Sequence, residues 1–557
     1  MFYSDIKNNY GEKLSIMNIA DHFTQIARIH QQKVAIKYPR RAGNKYNYDT
    51  ITFGKLESLA NKYANGLSKI GFRRGSKTLL FVRPSLRFPA LVFALFKLGV
   101  VPVLIDPGMG RKNLLAAIEE VAPEGLIAEP EVHFLSLLFG KSFKSVKFRI
   151  MTKGPKIGNC FPLAQLENCD ENFVSEQLEP DEMAAILFTS GGTGRPKGVV
   201  YTHKIYTEQT RLLQELFNLS DNEIDLPCFP LFSLFTLCMG MTSCVADMDP
   251  SRPAKADPGN LLKNITDNKV TFMAGSPAIW ERLGDYCEEN RLTLPTVKYL
   301  VMFGAPVRNE LHKKFSRILP NGTTYTPYGA TECLPVSNIS GKMVLEQTAV
   351  LTEQGQGTCV GVPVPGVDVS IIDTSDDIIE NIKNTHLLGS YQIGEIIVKG
   401  DIVTANYYQS PMGTAFAKIA DDKSFWHRIG DLGYIDDQKR VWFCGRKTHR
   451  VETPLGLLCS VNCEAIFNIH PGVRRSALVG FGERGKQSAA IVIERNELGK
   501  KYVRKILEKE LLDMAKNNSL TAQIKSVHFC DHFPVDVRHN IKIDRLKLAD
   551  YVLRRKI

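Results

Sequence analysis

A glycine-rich segment constrains the fold and function of this chain more than any other stretch. It reads Phe188-Thr-Ser-Gly-Gly-Thr-Gly-Arg-Pro-Lys-Gly198. Glycines let backbone N–H groups point into one concavity, and hydroxyl side chains add donors without crowding it. Such a loop suits a polyphosphate, although clusters of this composition also occur as plain surface linkers. It is not a Walker A loop, because Lys197 is followed by glycine and not by Ser or Thr.

The patterns around this segment predict alternating strands and helices. Residues 183–188 are an apolar run of strand length, and residues 204–219 have the spacing of an amphipathic helix. Helical spacing at residues 52–70 is likewise followed by a strand-like run at residues 77–82. This alternation predicts α/β architecture, with a large N-terminal domain of layered, largely parallel α/β subdomains. From residue 446 onward the pattern changes to a small α+β unit.

Length and composition favour a cytoplasmic protein of several subdomains. A chain of 557 residues is too long for one hydrophobic core. Its twelve cysteines form no CxxC pair and no Cys/His cluster with zinc spacing, which favours reduced thiols. Residues 1–10 are polar and have no apolar core of the kind that a signal peptide needs. We therefore expect a cytoplasmic location.

The apolar stretch at residues 88–105 has almost the length of a membrane span. It contains Pro89, Lys97, Gly99 and Pro102, however, and its character changes midway. Residues 91–98 fit a buried helix, and residues 100–105 fit a buried strand. We therefore predict a helix followed by a strand.

Positive charge is concentrated near the C-terminus. Residues 446–557 contain 22 Lys/Arg and 12 Asp/Glu, which accounts for +10 of the net charge of +11. A basic domain can bind nucleic acid or an anionic membrane, or it can cover a polyphosphate held by the rest of the chain. No RNA- or DNA-binding motif accompanies the charge, so we expect no nucleic-acid partner.

The glycine-rich segment resembles the phosphate-binding signature of the adenylate-forming superfamily, which includes acyl-CoA synthetases, peptide-synthetase adenylation domains and luciferase. It departs from that signature only at Gly192. The resemblance implies that ATP is a substrate and that the phosphates are bound by Thr189, Ser190, Gly191, Gly192, Thr193 and Gly194, with Lys197 in a catalytic role.

Further motifs resemble segments of the same superfamily and occur in its order. Tyr325-Thr-Pro-Tyr-Gly-Ala-Thr-Glu332 resembles its Tyr-Gly-x-Thr-Glu sequence. The resemblance implies that Tyr328 and Gly329 lie near adenine, Thr331 contacts the α-phosphate and Glu332 binds Mg²⁺. The other implied nucleotide contacts are Gly304, Ala305 and Pro306 against adenine, Asp431 on the ribose hydroxyls and Arg446 in the ribose or phosphate region.

The terminal motif, Phe533 to Arg545, resembles the superfamily signature whose lysine bridges carboxylate and α-phosphate. Lys542 matches that lysine, although two extra residues follow Pro534 and the usual Ser-Gly is Asn540-Ile541. Lys547 is the alternative. The resemblance implies an adenylation domain at residues 1–445 and a mobile lid domain at residues 446–557.

An aromatic turn is the candidate acyl pocket. Phe229, Phe232 and Phe235 recur at every third residue, where the superfamily places the wall of its acid pocket. Ordinary core packing explains the same pattern equally well. A small-molecule fatty or β-hydroxy acid is the implied substrate. Peripheral membrane contact for such a lipid and the oligomeric state stay open.

The remaining candidate functions differ in the nucleophile that attacks the acyl-adenylate. Glu452 stands where superfamily members that run a second half-reaction often have lysine, and this disfavours binding of CoA phosphates. Several segments, among them Pro534-Val-Asp-Val-Arg-His-Asn540, resemble the olefin-biosynthesis β-lactone synthetases. The resemblance implies that the β-hydroxyl of a long-chain acid closes a lactone with loss of AMP. The alternatives are a fatty-acid–CoA ligase and an inert nucleotide-binding relative.

Overall fold

The computed structural model describes residues 18–42, 45–156, 158–189, 196–535 and 543–554. The strands within these ranges are β1 Val34–Ala42, β2 Lys45–Thr52, β3 Lys77–Phe81, β4 Val101–Ile105, β5 Gly125–Ala128, β6 Phe148–Met151, β7 Cys160–Pro162, β8 Met183–Thr189, β9 Lys197–Thr202, β10 Ile224–Pro227, β11 Thr242–Cys244, β12 Phe272–Gly275, β13 Tyr299–Met302, β14 Thr323–Ala330, β15 Cys333–Ser340, β16 Thr358–Pro363, β17 Val367–Ile372, β18 Gly394–Gly400, β19 Lys418–Asp421, β20 Ser424–Ile435, β21 Val441–Arg446, β22 Val451–Thr453, β23 Gly456–Leu458, β24 Val473–Phe481, β25 Ser488–Arg495 and β26 Ser526–Phe529.

The α-helices of the described residues lie between and after these strands. They are α1 Ile19–Ile29, α2 Phe53–Ile70, α3 Phe88–Lys97, α4 Arg111–Val121, α5 Pro130–Leu138, α6 Leu163–Leu166, α7 His203–Leu216, α8 Phe232–Cys238, α9 Pro258–Asn268, α10 Pro277–Glu289, α11 Asn309–Ile318, α12 Gly341–Met343, α13 Ala349–Glu353, α14 Pro411–Ala417, α15 Ser460–Asn468, α16 Glu497–Lys501, α17 Arg504–Lys516 and α18 Arg545–Leu553.

Two sheets form the larger part of the molecule and confirm the α/β prediction. The first has the order β7-β6-β5-β3-β4-β8-β9, and all its neighbours are parallel except β8 and β9. The second sheet has 14 strands. From β1 through β11, β10, β12, β13 and β14 its neighbours are parallel, whereas the half from β14 to β21 is antiparallel.

Residues 88–105 form the predicted helix and strand, α3 and β4. Every residue of α3 is buried, including Lys97 at its last position. The ammonium of Lys97 is accommodated because it bonds to Glu57 at 2.8 Å and to Thr24 at 2.7 Å. No helix of the described ranges is long and apolar enough to cross a membrane.

Residues 451–554 form a smaller α+β unit. It has a three-stranded sheet, β24-β25-β26, and a hairpin, β22-β23. Helices α15, α17 and α18 cover the sheet, and two hydrophobic clusters are built from residues of this segment alone. The last strand of the large sheet along the chain, β21, ends at Arg446.

All twelve cysteines are free thiols, and ten of them are buried. This agrees with the sequence-based expectation of reduced cysteines. Burial raises the pKa of Cys359 to about 11 and that of Cys333 to about 12, so these thiols stay protonated and behave as small apolar side chains.

The first three helices pack through a buried aromatic pair. Phe23 of α1 and Phe93 of α3 are fully buried, with ring centroids 4.0 Å apart and planes 4° apart. We expect Phe93→Ala to lower the free energy of unfolding of this region by about 3–5 kcal/mol, because it leaves a cavity between the helices. Urea denaturation followed by far-UV circular dichroism measures the change.

The matched control for this prediction is Val174→Ala, at a position that is 86% exposed. The control should shift the urea midpoint hardly at all. Equal midpoints for wild type and Phe93→Ala would contradict the assigned packing.

Candidate active site

One large cleft of about 3900 Å³ collects the loops that follow the parallel strands of the 14-stranded sheet. Open α/β sheets bind ligands at such carboxyl-terminal strand ends. The volume exceeds that of a usual single-ligand pocket, so there is room for two substrates. The sequence-predicted site residues that line the cleft are Lys197, Phe229, Phe232, Phe235, Gly304, Ala305, Pro306, Tyr328, Gly329, Thr331, Glu332, Asp431 and Arg446.

The glycine-rich segment connects two antiparallel strands, β8 and β9, instead of leading directly into a helix. Thr189 and Lys197 are paired across these strands, so the two ends of the segment are held together. The ammonium of Lys197 lies 4.8 Å from the centroid of the Tyr407 ring. The predicted phosphate-binding residues that lie outside the described ranges are Ser190, Gly191, Gly192, Thr193 and Gly194.

Thr331 and Glu332 form the two-residue turn of the hairpin β14–β15, because Ala330 pairs with Cys333. Gly329 permits this close approach, since a Cβ atom there would lie 2.4 Å from the Cys333 carbonyl oxygen. The turn therefore projects the Glu332 carboxylate into the cleft on a short, rigid hairpin.

A tyrosine from a distant segment holds the Glu332 carboxylate. The Tyr407 hydroxyl donates to Oε1 of Glu332 at 2.5 Å. Burial, with the neighbouring Glu332 charge as the second cause, raises the pKa of Tyr407 far above its usual value. The hydroxyl therefore stays protonated and acts as a hydrogen-bond donor. The backbone N–H of Thr404 also donates to the Glu332 carbonyl oxygen at 2.9 Å.

Asp431 joins two sides of the cleft. Its Oδ2 accepts a hydrogen bond from the Tyr328 hydroxyl, and its Oδ1 accepts one from Nη1 of Arg446, both at 2.7 Å. The Asp431 charge raises the pKa of the Arg446 guanidinium. A carboxylate offers about four lone-pair sites, so Asp431 can still accept two O–H donors from a ligand.

The apolar part of the cleft is built from the predicted aromatic turn and the segment after β13. Phe303 stacks on Phe232 with centroids 5.2 Å apart and meets the edge of Phe229 at 6.2 Å. Phe235 continues the wall toward Tyr206 at 5.6 Å. These side chains line the cleft and also join the hydrophobic core. The pocket interpretation and the core interpretation of the aromatic pattern therefore both apply.

The terminal motif reaches the cleft through Arg545. Its guanidinium makes a bidentate ion pair with Glu464, with Nη2 at 2.7 Å from each carboxylate oxygen. Lys542 lies outside the described residues. Lys547 is exposed on α18 and is absent from the cleft wall, with its Nζ 5.9 Å from the Tyr551 ring centroid.

Glu452 is engaged in an ion pair. Its carboxylate accepts from Nε of Arg450, whose side chain is buried and also pairs with Asp376. Arg450 and the second partner, Arg484, lower the pKa of the Asp376 carboxyl to about 2. The acidic residue at this position therefore belongs to a charge cluster on β22 and does not line the cleft.

Two side chains next to Glu332 were missed by sequence analysis, namely Tyr407 and Lys418. Nζ of Lys418 donates to the carbonyl oxygen of Thr404, directly behind the Glu332 turn. Burial lowers the pKa of Lys418 to about 7, and the Glu332 charge opposes this effect only in part. Neither residue belongs to a motif that could have marked it, because each acts through contacts that are distant in sequence.

Comparisons with known proteins agree with this geometry. A family model described as AMP-binding enzyme matches residues 23–408. A protein of Xanthomonas campestris pv. campestris named olefin beta-lactone synthetase is 38% identical over 98% of this chain and 99% of its own length. A protein of the same name from Stenotrophomonas maltophilia is 40% identical over 96% of this chain and 97% of its own length.

Among solved structures, the fold is similar to O-succinylbenzoate coenzyme A synthetase from Bacillus subtilis in complex with ATP and magnesium ion. The TM-score is 0.73 at 18% identity, and the match covers 95% of this chain and 98% of that one. At this identity the likeness concerns the fold alone.

Lys418 should make stability depend on pH. Its pKa is about 7 in the folded state, against 10.5 for an ordinary lysine, so between these values the unfolded chain binds the extra proton. The contribution of Lys418 to the free energy of unfolding therefore rises as the pH increases from about 7 to 10.5. We expect Lys418→Met to raise the melting temperature by roughly 2–4 °C at pH 6 and by progressively less as pH approaches 10.

Thermal denaturation of both proteins across this pH range measures the effect. Lys423→Met, a change at an exposed lysine in the adjoining turn, is the control and should show no such trend. A constant difference between Lys418→Met and wild type at every pH would contradict the assignment.

Proposed function

Since this chain belongs to the AMP-binding enzyme family, we propose that it activates a long-chain β-hydroxy acid with ATP and closes the acyl-adenylate to a β-lactone. That the chain is an AMP-forming, acid-activating ligase or synthetase follows from the family itself. The finer proposal is carried by the similarity, over nearly the whole chain, to two relatives named olefin beta-lactone synthetase.

The nucleotide end of the cleft supports ATP binding. Asp431 has lone pairs left for both ribose hydroxyls, while Arg446 offsets its charge and Tyr328 fixes its orientation. The loop at residues 304–306 would pack against adenine, because it lines the same cleft and carries little side-chain bulk. Thr331 and the segment that begins at Thr189 would supply donors to the phosphates.

The residues present fit a magnesium ion at the phosphate end. A carboxylate is the oxygen ligand that Mg²⁺ prefers, and Glu332 presents one on a rigid turn inside the cleft. The described residues hold no cluster of three or more metal-ligating side chains, so most of the remaining ligands would be phosphate oxygens and water. When bound, Mg²⁺ would offset the repulsion between the attacking carboxylate and the phosphates and favour loss of pyrophosphate.

Residues 446–557 would act as the lid over this site. The segment concentrates positive charge, and Lys542 would bring an ammonium to the acid and the α-phosphate. Lys197 would add a second cation from the opposite side of the cleft. Lys547 is the weaker candidate, since its exposed side chain lies off the cleft wall.

The first reaction joins the substrate carboxylate to the α-phosphorus. A carboxylate oxygen forms a new bond to phosphorus, and the bond between the α-phosphorus and the bridging oxygen breaks to release pyrophosphate. The aromatic wall formed by Phe229, Phe232 and Phe235 would hold the acyl chain, because apolar burial favours a long hydrocarbon over water.

The second reaction would be intramolecular. The β-hydroxyl oxygen attacks the acyl carbonyl carbon, the bond from that carbon to the phosphate oxygen breaks, and AMP leaves with the electron pair. The hydroxyl proton is released to solvent. Because nucleophile and carbonyl belong to one molecule, the step needs no second substrate.

A fatty-acid–CoA ligase is the second candidate, because it forms the same acyl-adenylate and differs in the nucleophile that attacks it. The charge of Glu452 disfavours it, because CoA carries several phosphates. Arg450 already neutralises part of that charge. The ligase and lactone functions are therefore distinguished by their products and not by this residue.

Glu332→Gln tests the activation step. The substitution keeps the shape of the side chain and its acceptor oxygen for Tyr407 but removes the charge. We expect pyrophosphate release to fall by roughly 10²-fold or more while the melting temperature changes little. Glu353→Gln, on another part of the cleft wall, is the matched control and should stay near wild type. Near-wild-type turnover of Glu332→Gln at saturating Mg²⁺ would refute the assigned role.

The identity of the product tests ring closure. With ATP, Mg²⁺ and a long-chain β-hydroxy acid, we expect AMP and a neutral lipid lighter than the acid by one water, without CoA. The matched acid that lacks the β-hydroxyl should release pyrophosphate but at most stall as adenylate. Mass spectrometry of the extracted lipid measures both outcomes. If AMP release requires CoA and an acyl-CoA accumulates, the ligase function replaces the lactone function.

A further inference from the structure

Helix α5, Pro130–Leu138, exposes its large apolar side chains. Phe134 is 63% exposed, Leu137 is 73% exposed and Leu138 is 63% exposed, and Leu135 is nearly half exposed. These four residues, called the α5 patch below, span less than half of the helix circumference. A contiguous apolar face of this kind marks a contact surface.

The same helix buries two of its polar side chains, His133 and Ser136, whereas Glu131 in its first turn is exposed. Nε2 of His133 lies 2.9 Å from the carbonyl oxygen of Ile150, and the Ser136 hydroxyl accepts a hydrogen bond from Nη1 of Arg149 at 2.7 Å. Burial lowers the pKa of His133, so the imidazole stays neutral at this contact. These hydrogen bonds thus fix the helix to strand β6. The leucines of the helix face outward. Exposing this much apolar surface to water is unfavourable. The outward leucines therefore indicate a partner outside the molecule.

Basic residues border the α5 patch. Lys141 and Lys144 follow the helix directly and are exposed. The guanidinium carbon of Arg111, at the start of α4, lies 5.8 Å from the ring centroid of Phe139, which is next to the end of α5. Lys112 is the next residue of α4 and is exposed. Residues 130–153 carry five Lys/Arg and one Asp/Glu. An apolar face rimmed by lysines and arginines is the arrangement that binds an anionic bilayer, with the apolar residues among the acyl chains and the cations at the phosphates.

The α5 patch follows, on the same helix, residues that line the cleft. Glu129, Glu131 and Val132, at and before the first turn of α5, line the cleft. A bilayer that contacts the patch would therefore lie beside an entrance to the site. This position suits a lipid substrate, and only in this respect does the inference rest on the proposed function.

We propose that the α5 patch and its basic rim form a docking surface for an anionic lipid bilayer. The apolar side chains insert below the phosphates, at the boundary between headgroups and acyl chains, and Lys141, Lys144, Arg111 and Lys112 contact lipid phosphates. Docking reduces the distance that a long-chain acid must travel through water to reach the cleft.

Co-sedimentation of the whole chain with vesicles tests the proposal without ATP or acid. The wild type should bind vesicles of phosphatidylcholine mixed with phosphatidylglycerol and bind pure phosphatidylcholine far less. The double change Leu137→Ser and Leu138→Ser should weaken binding at least about tenfold. Lys141→Gln with Lys144→Gln should weaken binding to the anionic vesicles by roughly tenfold or more and make it less dependent on salt.

The matched control is Leu455→Ser, at a leucine that is 79% exposed in the β22–β23 hairpin. Its binding should equal that of wild type. Failure of the wild type to bind anionic vesicles, or equal loss in Leu455→Ser, would overturn the proposal. Dissociation of a wild-type oligomer by the leucine changes, without vesicle binding, would assign the patch to a second copy of this chain instead.

Activity separates this inference from the proposed function. Pyrophosphate release with a short, water-soluble acid in the absence of vesicles should be unchanged by Leu137→Ser and Leu138→Ser, which also shows that the variant is folded. If the wild type binds vesicles but releases no pyrophosphate with any acid, the proposed function fails and the docking surface stands.

Discussion

The carboxylate of Asp431 organises the cleft, because it is the point where two parts of the large sheet meet. Tyr328 comes from the end of β14, the strand at which the parallel part of the sheet changes to the antiparallel part, and Arg446 comes from the end of β21 in the antiparallel part. A buried carboxylate is strongly unfavourable without partners, so these two bonds hold both segments in place. The same oxygens keep lone pairs directed into the cleft, and the interaction that stabilises the sheet junction therefore also prepares the site for a ligand.

A second set of contacts performs the same task for Glu332. Its carboxylate is held by Tyr407, its carbonyl oxygen by the N–H of Thr404, and the carbonyl oxygen of Thr404 in turn accepts from Lys418. Tyr407 also pairs with Val199 on β9, close behind the glycine-rich segment. The position of β9 is thus linked to that of Glu332 through one tyrosine. Preorganisation of this kind reduces the rearrangement that charge development requires during catalysis.

The elements that the sequence predicted well are those whose pattern is local. Helix α2 and the pair α3–β4 follow from apolar periodicity and from Gly and Pro at their ends, whereas the hairpin turn at Thr331 and Glu332 was not predicted. Strand β9 was missed because Lys197 to Thr202 is short and directly precedes a helix. Lys418 could not be predicted, since its burial depends on Thr404 and Glu332, which lie elsewhere in the sequence. The outward orientation of the leucines in α5 was equally hidden, because only the position of β6 decides which face of that helix is buried.

Two kinds of ion pair join the start of the C-terminal segment to the rest of the chain. Lys447, the first residue after β21, pairs with the fully buried Glu395 at 3.0 Å, and Glu395 also binds Arg428. Arg450 and Arg484 both pair with Asp376, which is half exposed. The pairs with Asp376 are close to solvent and are weakened by salt, whereas the pair at Glu395 is shielded from it. If residues 446–557 rotate as the proposed lid, we expect the contacts at Asp376 to break first and Lys447 to stay anchored, with the pivot near Arg446 and Lys447.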